Sequence, residues 1–523
     1  MIPFRSSNPH HANESPSLTM ERGAYRMKAP YSSKPMRSLV FSDQRVKRHW
    51  YNRIPTSAML IALLTFASIS SFAMAYYLLC VRWETRGLGQ QPVADYFQAV
   101  SLDLHQDDYP CDPDETFLSY LPHSGFHNQR IAFENALVLS RLMNRTLLVP
   151  PIYLGSKPLH YAPFDALYQE LILSSKVGLL HCSGISSAVP LPLECIDYFD
   201  QTHLPWDWLV DLDLVKQNQR LRQRWNLSEI WTDKCLNYSE SNTLIIKDRS
   251  PYQYRFLDTR SDISPLNHRF LENIYISDLV ASRKRLVHVG TLFGSSRLRL
   301  KDPSNLTIRS YIRGSMSFNN PLLLDIANSI AASLGPLFIG VHLRLGDGNF
   351  RKNAEKHTRK AWWQVICDIL SYSEEEAFAL ENDFMDQFQD RNVHDPRPRR
   401  FGASSNVLRC QYPLHTNTSH LRLNTPIFIS TDVDQNNTVL IGFRKTFPCL
   451  FFLADFPIAT APLEEIRNPH DGIRMKHILL PFVDALVVGN AWKVVGTSNS
   501  TFSNFIQDVL WRKQHDLQIV QRG

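Results

Sequence analysis

The 523-residue sequence contains no Cys-X-X-Cys pair and no His/Cys cluster at zinc-site spacing, so nothing in it points to a structural zinc module. A basic surplus is also missing from the main body. Of 56 Lys and Arg and 50 Asp and Glu, residues 1–53 hold ten basic and three acidic residues, which leaves the remainder near neutral. A near-neutral body argues against a nucleic-acid surface there. The tail itself, rich in Ser, Pro, Asn, His and Arg, has no sustained apolar period and reads as disordered. From Ile54 to Val81 charge disappears altogether.

That uncharged stretch is long enough to span a bilayer, which takes about 20 residues. Trp50, Tyr51, Tyr76, Tyr77 and Trp83 flank it as interface aromatics do, and Arg45, Lys47, Arg48 and Arg53 precede it. A secretory leader would begin nearer the start and have a shorter apolar core. The expectation is a single-pass anchor with a cytoplasmic N-terminus and a lumenal body in the Golgi or endoplasmic reticulum. Asn-X-Ser/Thr sequons at Asn144, Asn226, Asn237, Asn305, Asn417, Asn436 and Asn499 fit that address. Seven cysteines follow the span, an odd number whose pairing the sequence does not disclose.

The body alternates strands and helices. Phe117–Leu121 reads as a strand, 125–130 as a turn, 131–143 as a helix and 146–149 as a buried strand stopped by Pro150-Pro151. The turn lies at a helix N-terminus, where unpaired N–H groups favour anions. Further strands are expected at 244–246 and 286–290, and the loop 291–297 reads as a plain turn. Residues 305–320 look like an interdomain crossing. Pro321–Leu334 is an apolar helix stopped by Gly335-Pro336. It leads into the most informative stretch, Phe338-Ile339-Gly340-Val341-His342-Leu343-Arg344-Leu345-Gly346-Asp347. Strand alternation puts His342 and Arg344 on one face, at the carboxyl end where open α/β sheets bind ligands. A fixed guanidinium there suits phosphate. Residues 351–425 lose the rhythm and read as a partly flexible peripheral insertion. It returns with the strand 426–432, a helix at 439–446, a strand at 450–453, a helix at 473–488 that Pro481 should kink or split, and a strand at 493–495. The loop Gly496-Thr497-Ser498-Asn499-Ser500-Thr501 then supplies hydroxyls at a helix N-terminus.

Three of these stretches, in order, resemble motifs of GDP-fucose protein O-fucosyltransferases: Gly125-Phe126-His127-Asn128-Gln129-Arg130 with Asn144–Pro151; His342-Leu343-Arg344-Leu345-Gly346; and Ser500-Thr501-Phe502-Ser503. The resemblance implies an α/β, GT-B-like fold of two Rossmann-like domains facing a cleft; the residues themselves place the disordered tail 1–53, the transmembrane helix 54–81 and a stem 82–106 before it. The acceptor-side domain would be 107–320. The GDP-sugar side would be 321–515, with the insertion 351–425. It implies inverting, metal-independent transfer of fucose from GDP-fucose to a protein or glycan hydroxyl, with no cofactor. Arg344 would stabilise the leaving diphosphate and Asn128 would sit near the reacting sugar. Some relatives carry a Glu in the opening loop, where this sequence reads His123-Ser124-Gly125-Phe126-His127, so either His127 is the base or the mechanism lacks a protein base. His342, Gly346, Asp347, Asp432, Asp484, Ser500, Thr501, Phe502 and Ser503 would bind donor. Two other readings compete: a metal-dependent GT-A-type transferase using Asp432 and Asp434, and a non-catalytic lumenal carbohydrate-binding scaffold.

Overall fold

Val341 and Val495 flank a parallel pairing that sets the second half of the body, and Leu118 and Val287 do the same for the first. The structure, a computed structural model, describes residues 65, 67–68, 70–74, 112, 114–156, 159–176, 178–185, 189–224, 241–260, 269–386 and 408–521. The expected tail 1–53, the stem 82–106 and most of the expected span 54–81 lie outside the described residues. Those described near the N-terminus, 65, 67–68 and 70–74, are helical and exposed. Among the described residues no helix is long and apolar enough to cross a membrane.

The first sheet contains β1 (Phe117–Tyr120), β2 (Thr146–Val149), β5 (Leu221–Gln223), β6 (Thr243–Ile246) and β9 (Leu286–Val289). Its spatial order is β5-β2-β1-β9-β6, all parallel. The chain winds outward from β1 on one side and fills the other side later, so the crevice at the carboxyl end of β1 is a topological switch point. A hairpin-like pair, β3 (Ile152–Gly155) with β4 (Gln201–Leu204), projects after β2, and β7 (Tyr254–Leu257), β8 (Glu272–Tyr275) and β10 (Leu298–Arg299) form a small sheet. The second large sheet holds β11 (Ile339–Leu343), β12 (Ile427–Thr431), β13 (Leu450–Phe451) and β14 (Lys493–Gly496), in the parallel order β13-β12-β11-β14. Its switch point falls between β11 and β14.

Helix α1 (Phe126–Leu142) follows β1, and α2 (Pro303–Ser315) and α3 (Pro321–Leu334) carry the chain between the sheets. The ends of α3 are written in its residues. Asn320 accepts the Leu323 N–H at 3.1 Å, Pro321 takes the first helical position, and Gly335 stops the helix at φ 89°. Helix α4 (Ala354–Trp363) runs into a π-helical segment (Gln364–Ile369) and is followed by α5 (Glu374–Asp386), α6 (Ile441–Thr446), α7 (Lys476–Gly489) and α8 (Thr501–Phe505).

The two faces of β11 meet different partners. Gly340 faces α7 so closely that a Cβ would lie 2.8 Å from the Val488 carbonyl. Ile339, Val341 and Leu343 pack instead with Ala361, Trp362, Val365, Ile366 and Phe443. This corrects the expected peripheral insertion: its 354–380 portion is a core layer, because its apolar residues cover a strand face that would otherwise be bare. Helix α7 is one 14-residue helix with Pro481 inside it, so the chain does not split there, the stronger of the two outcomes expected. Among the described residues two disulfides are present, Cys182–Cys195 and Cys410–Cys449, and Cys367 is a free thiol.

Candidate active site

His342 lies at the carboxyl end of β11, in register with Ser430 and Gly496 of the neighbouring strands. Its Nδ1 shares a 2.7 Å hydrogen bond with the Ser503 hydroxyl, and its ring stands 5.3 Å from that of Phe502. Burial, then the Arg344 charge, lowers its pKa to about 3, so the ring is a neutral, fixed group with Nε2 remaining for another partner. Gly496 makes this contact possible: a Cβ there would lie 2.8 Å from that of Ser503. The Thr497 hydroxyl accepts from the Arg344 N–H at 2.9 Å and donates to the His342 carbonyl at 3.2 Å, sewing β11 to the loop after β14.

The Arg344 guanidinium is held by Asp347 through Nε (3.2 Å) and Nη2 (2.6 Å), above the Phe350 ring at 5.0 Å. The pair raises the Arg344 pKa and holds the Asp347 carboxyl below its ordinary range. Asp347 therefore touches the arginine directly. Asp432 faces the turn: its Oδ1 accepts from the N–H of Leu345 (2.7 Å) and Gly346 (3.0 Å). Asp434 accepts from the Asn436 N–H at 2.7 Å. Both carboxylates of the Asp-X-Asp sequence thus hold backbone.

Ser500 caps α8, accepting from the Ser503 N–H at 3.2 Å, while Asn499 before it takes φ 65°. Thr501 and Phe502 are half-buried in the first turn, and Lys360 of α4 donates to Ser498 at 2.8 Å. The helix continues through a π segment (Ile506–Trp511) to Gln514, so its N-terminal N–H groups sit at the switch point beside Arg344. Asp484 on α7 has a buried Oδ1 without a partner. Burial pushes its carboxyl up to about 8, with Ser430 pulling the other way.

On the first sheet, α1 begins at Phe126, earlier than the expected 131, capped by extended Gly125 with no side-chain bond. His127 and Asn128 therefore lie in its first turn, and Asn128 is not a cap. Both His127 ring nitrogens and Asn128 Oδ1 are buried without hydrogen-bond partners. Burial, then Arg130, drives the His127 pKa well below its usual value. A ring path joins the two halves: His127 to Phe505 (5.4 Å), Phe505 to Phe502 (5.9 Å), Phe502 to His342 (5.3 Å). The structure thus brings His127, Asn128, His342, Arg344, Ser500, Thr501, Phe502 and Ser503 to one region, with Gly346, Asp347 and Asp432 at its turn.

Sequence reasoning passed over the residues that support this region. Gln129 donates to the Ser124 and Tyr153 carbonyls (2.9 and 2.8 Å) and accepts from the Tyr153 N–H, fixing the entry to α1. Arg130 reaches the Met316 carbonyl at 3.0 Å and Gln521 at 3.3 Å. Lys176 and Asp471 form a buried 2.7 Å ion pair between the halves, joined by Thr202, Asn468 and Tyr198. Only a buried-looking polar residue in an apolar setting signals such roles, and sequence alone does not show what is buried. The 291–297 loop proves structural: Arg297 is buried and donates to carbonyls of Phe293, Tyr254 and Pro251.

Residues 117–509 match the family model described as GDP-fucose protein O-fucosyltransferase. Over 38 residues the chain is 55% identical to O-fucosyltransferase 30 of Arabidopsis thaliana, a stretch spanning 7% of this chain and 8% of that relative. Crystal structures of POFUT1 with GDP and with GDP-fucose align over 79% of this chain and 98% of theirs, at 13% and 14% identity and a TM-score of 0.35. With three quarters of its length matched by the family model, the chain belongs to the GDP-fucose protein O-fucosyltransferase family.

Proposed function

We propose that the chain transfers fucose from GDP-fucose to a hydroxyl of a protein or glycan acceptor, by inversion and without a metal, on a GT-B-like scaffold. The observation that carries the reading is the placement of Arg344 just past β11, its backbone N–H tied to the Thr497 hydroxyl in the loop that leads into α8, at the switch point between β11 and β14. Fucosyl transfer builds negative charge on the departing diphosphate, and donors already in place stabilise that charge without reorganising. In this reading the acceptor oxygen attacks C1 of fucose from the face opposite the diphosphate. The C1–O bond breaks, and GDP leaves with the bonding pair beside Arg344 and the Ser500–Ser503 turn. His342, kept neutral, offers Nε2 to the nucleotide side, and Asn128 lies toward the sugar.

The acceptor proton needs a destination. His127 is a weak base while dry, so in this reading its basicity depends on water or acceptor entering beside it; otherwise the proton leaves to the departing phosphate or to solvent. Asp432 and Asp434 each give one oxygen to backbone N–H groups, which supports a structural use of this pair beside the metal-independent route. The uncharged stretch 54–81 supports a single-pass anchor with a lumenal body in the Golgi or endoplasmic reticulum.

The test follows GDP release from GDP-fucose and GDP-mannose, with and without chelator. Chelator-resistant release that prefers GDP-fucose supports the reading. Loss on chelation moves the enzyme to metal-dependent chemistry, and absence of donor binding leaves a carbohydrate-binding scaffold.

A further inference from the structure

On the face of the second sheet away from α7 and α8, a groove of about 1060 Å³ runs between α4 and α6, with Glu381 of α5 at its rim. Its volume is that of a pocket for a drug-sized molecule. The walls are apolar: Trp363 from α4, and Val439, Ile441 and Phe443 from the opposite side. Trp362 and Thr446 at the base satisfy each other, indole N–H to hydroxyl at 2.9 Å. Thr358 differs. It lines the groove, is 5% exposed, and its hydroxyl oxygen has no hydrogen-bond partner. A buried hydroxyl left unmade is costly, so one polar contact is wanting in an otherwise apolar site.

The rim carries Lys356, Arg359 and Lys360 against Glu355 and Glu381, a net positive charge. Arg359 is taken by Glu381 (2.6 and 2.9 Å), and Lys360 donates to Ser498. Lys356 has no carboxylate partner among the described residues. Apolar walls, one deep hydroxyl and an ammonium at the mouth, within a rim of net positive charge that also holds Glu355, are complementary to an apolar body with one acidic group. We propose that this groove binds an acidic amphiphile, with a flat apolar body between Trp363 and Ile441 and a carboxylate at Lys356. The groove does not include Arg344, His342 or the α8 turn, so this inference stands apart from the donor site.

Gly442 supplies the test. It lines the groove, and a Cβ built on it meets nothing within 4 Å, so Gly442→Leu fills the space without strain at a helical position. The purified full-length chain is photolabelled with 4-benzoylbenzoate and the adducts are mapped by mass spectrometry. Saturable labelling on 354–363 and 438–446 is expected, falling at least fivefold in Gly442→Leu at unchanged melting temperature, and at least threefold in Lys356→Gln. In the wild type, unlabelled biphenyl-4-carboxylate should suppress it, so the result does not depend on a variant folding. Scattered labelling, no competition, or equal labelling by neutral 4-benzoylbenzamide would overturn the proposal.

Discussion

Ser503 hydrogen-bonds the His342 ring through its hydroxyl and, through its own N–H, belongs to the cap of α8. Ser503→Ala leaves the cap and removes the hydroxyl. Loss of one hydrogen bond of about 0.5–1.5 kcal/mol predicts a rise in donor KM of roughly two- to tenfold with little change in kcat, measurable by steady-state kinetics. The buried histidines also set an acid limit. His123 is lowered to about 4, and His203, His288 and His342 to about 3, mainly by burial. Below about pH 6.5 the unfolded chain takes up protons that the folded chain refuses, so stability falls with pH across that window. Asp484 works in the opposite sense. With a folded value of about 8 against an unfolded value near about 4, it keeps a proton that the unfolded chain has lost, and its contribution declines as pH rises through about 8. Asp484→Asn should therefore raise the melting temperature more at pH 9 than at pH 5. Equal shifts at both pH values would contradict the buried, protonated carboxyl.

At the scale of elements, β11 is gripped on both sides. Gly340→Ala forces a Cβ into the Val488 carbonyl and the Ala491 side chain, and overpacking of this kind costs about 1–3 kcal/mol, readable in a urea melt. The strands and α3 were legible because their signals are local: apolar runs, Asn320, Pro321 and Gly335. The start of α1 was not. Gly125 offers no side-chain cap, and His127, Asn128, Gln129 and Arg130 look like a loop until remote groups bury them. Helix α4 and the segment after it were misread as peripheral for a related reason. Their apolar positions Ala361, Trp362, Val365 and Ile366 answer a sheet face assembled from residues near 340 and 428, and no window of sequence contains both. The motif residues of the site were legible as phosphate chemistry, but what each carboxylate holds was not: one oxygen of Asp432 accepts from two backbone N–H groups.

For the whole molecule, the two sheets are joined by more than the helices between them. Lys176 and Asp471 are almost fully buried, and removing one partner strands the other charge. Lys176→Met should cost about 3–5 kcal/mol in equilibrium unfolding, whereas Lys176→Met with Asp471→Leu should recover most of it. If the double variant is as unstable as the single one, the pair is not a charge latch and the loss lies in packing. With the halves held together, His127 of the first half stays beside Phe505 of the second. The central claim is that Arg344 stabilises the leaving diphosphate, and GDP release from GDP-fucose by the full-length chain, wild type against Arg344→Ala, tests it most directly. The account predicts turnover that resists chelator and falls by about 10²–10³-fold in the variant, the loss seen when one preorganised donor is removed. Turnover unchanged in Arg344→Ala, or a wild-type chain that neither binds nor turns over GDP-fucose, would contradict it.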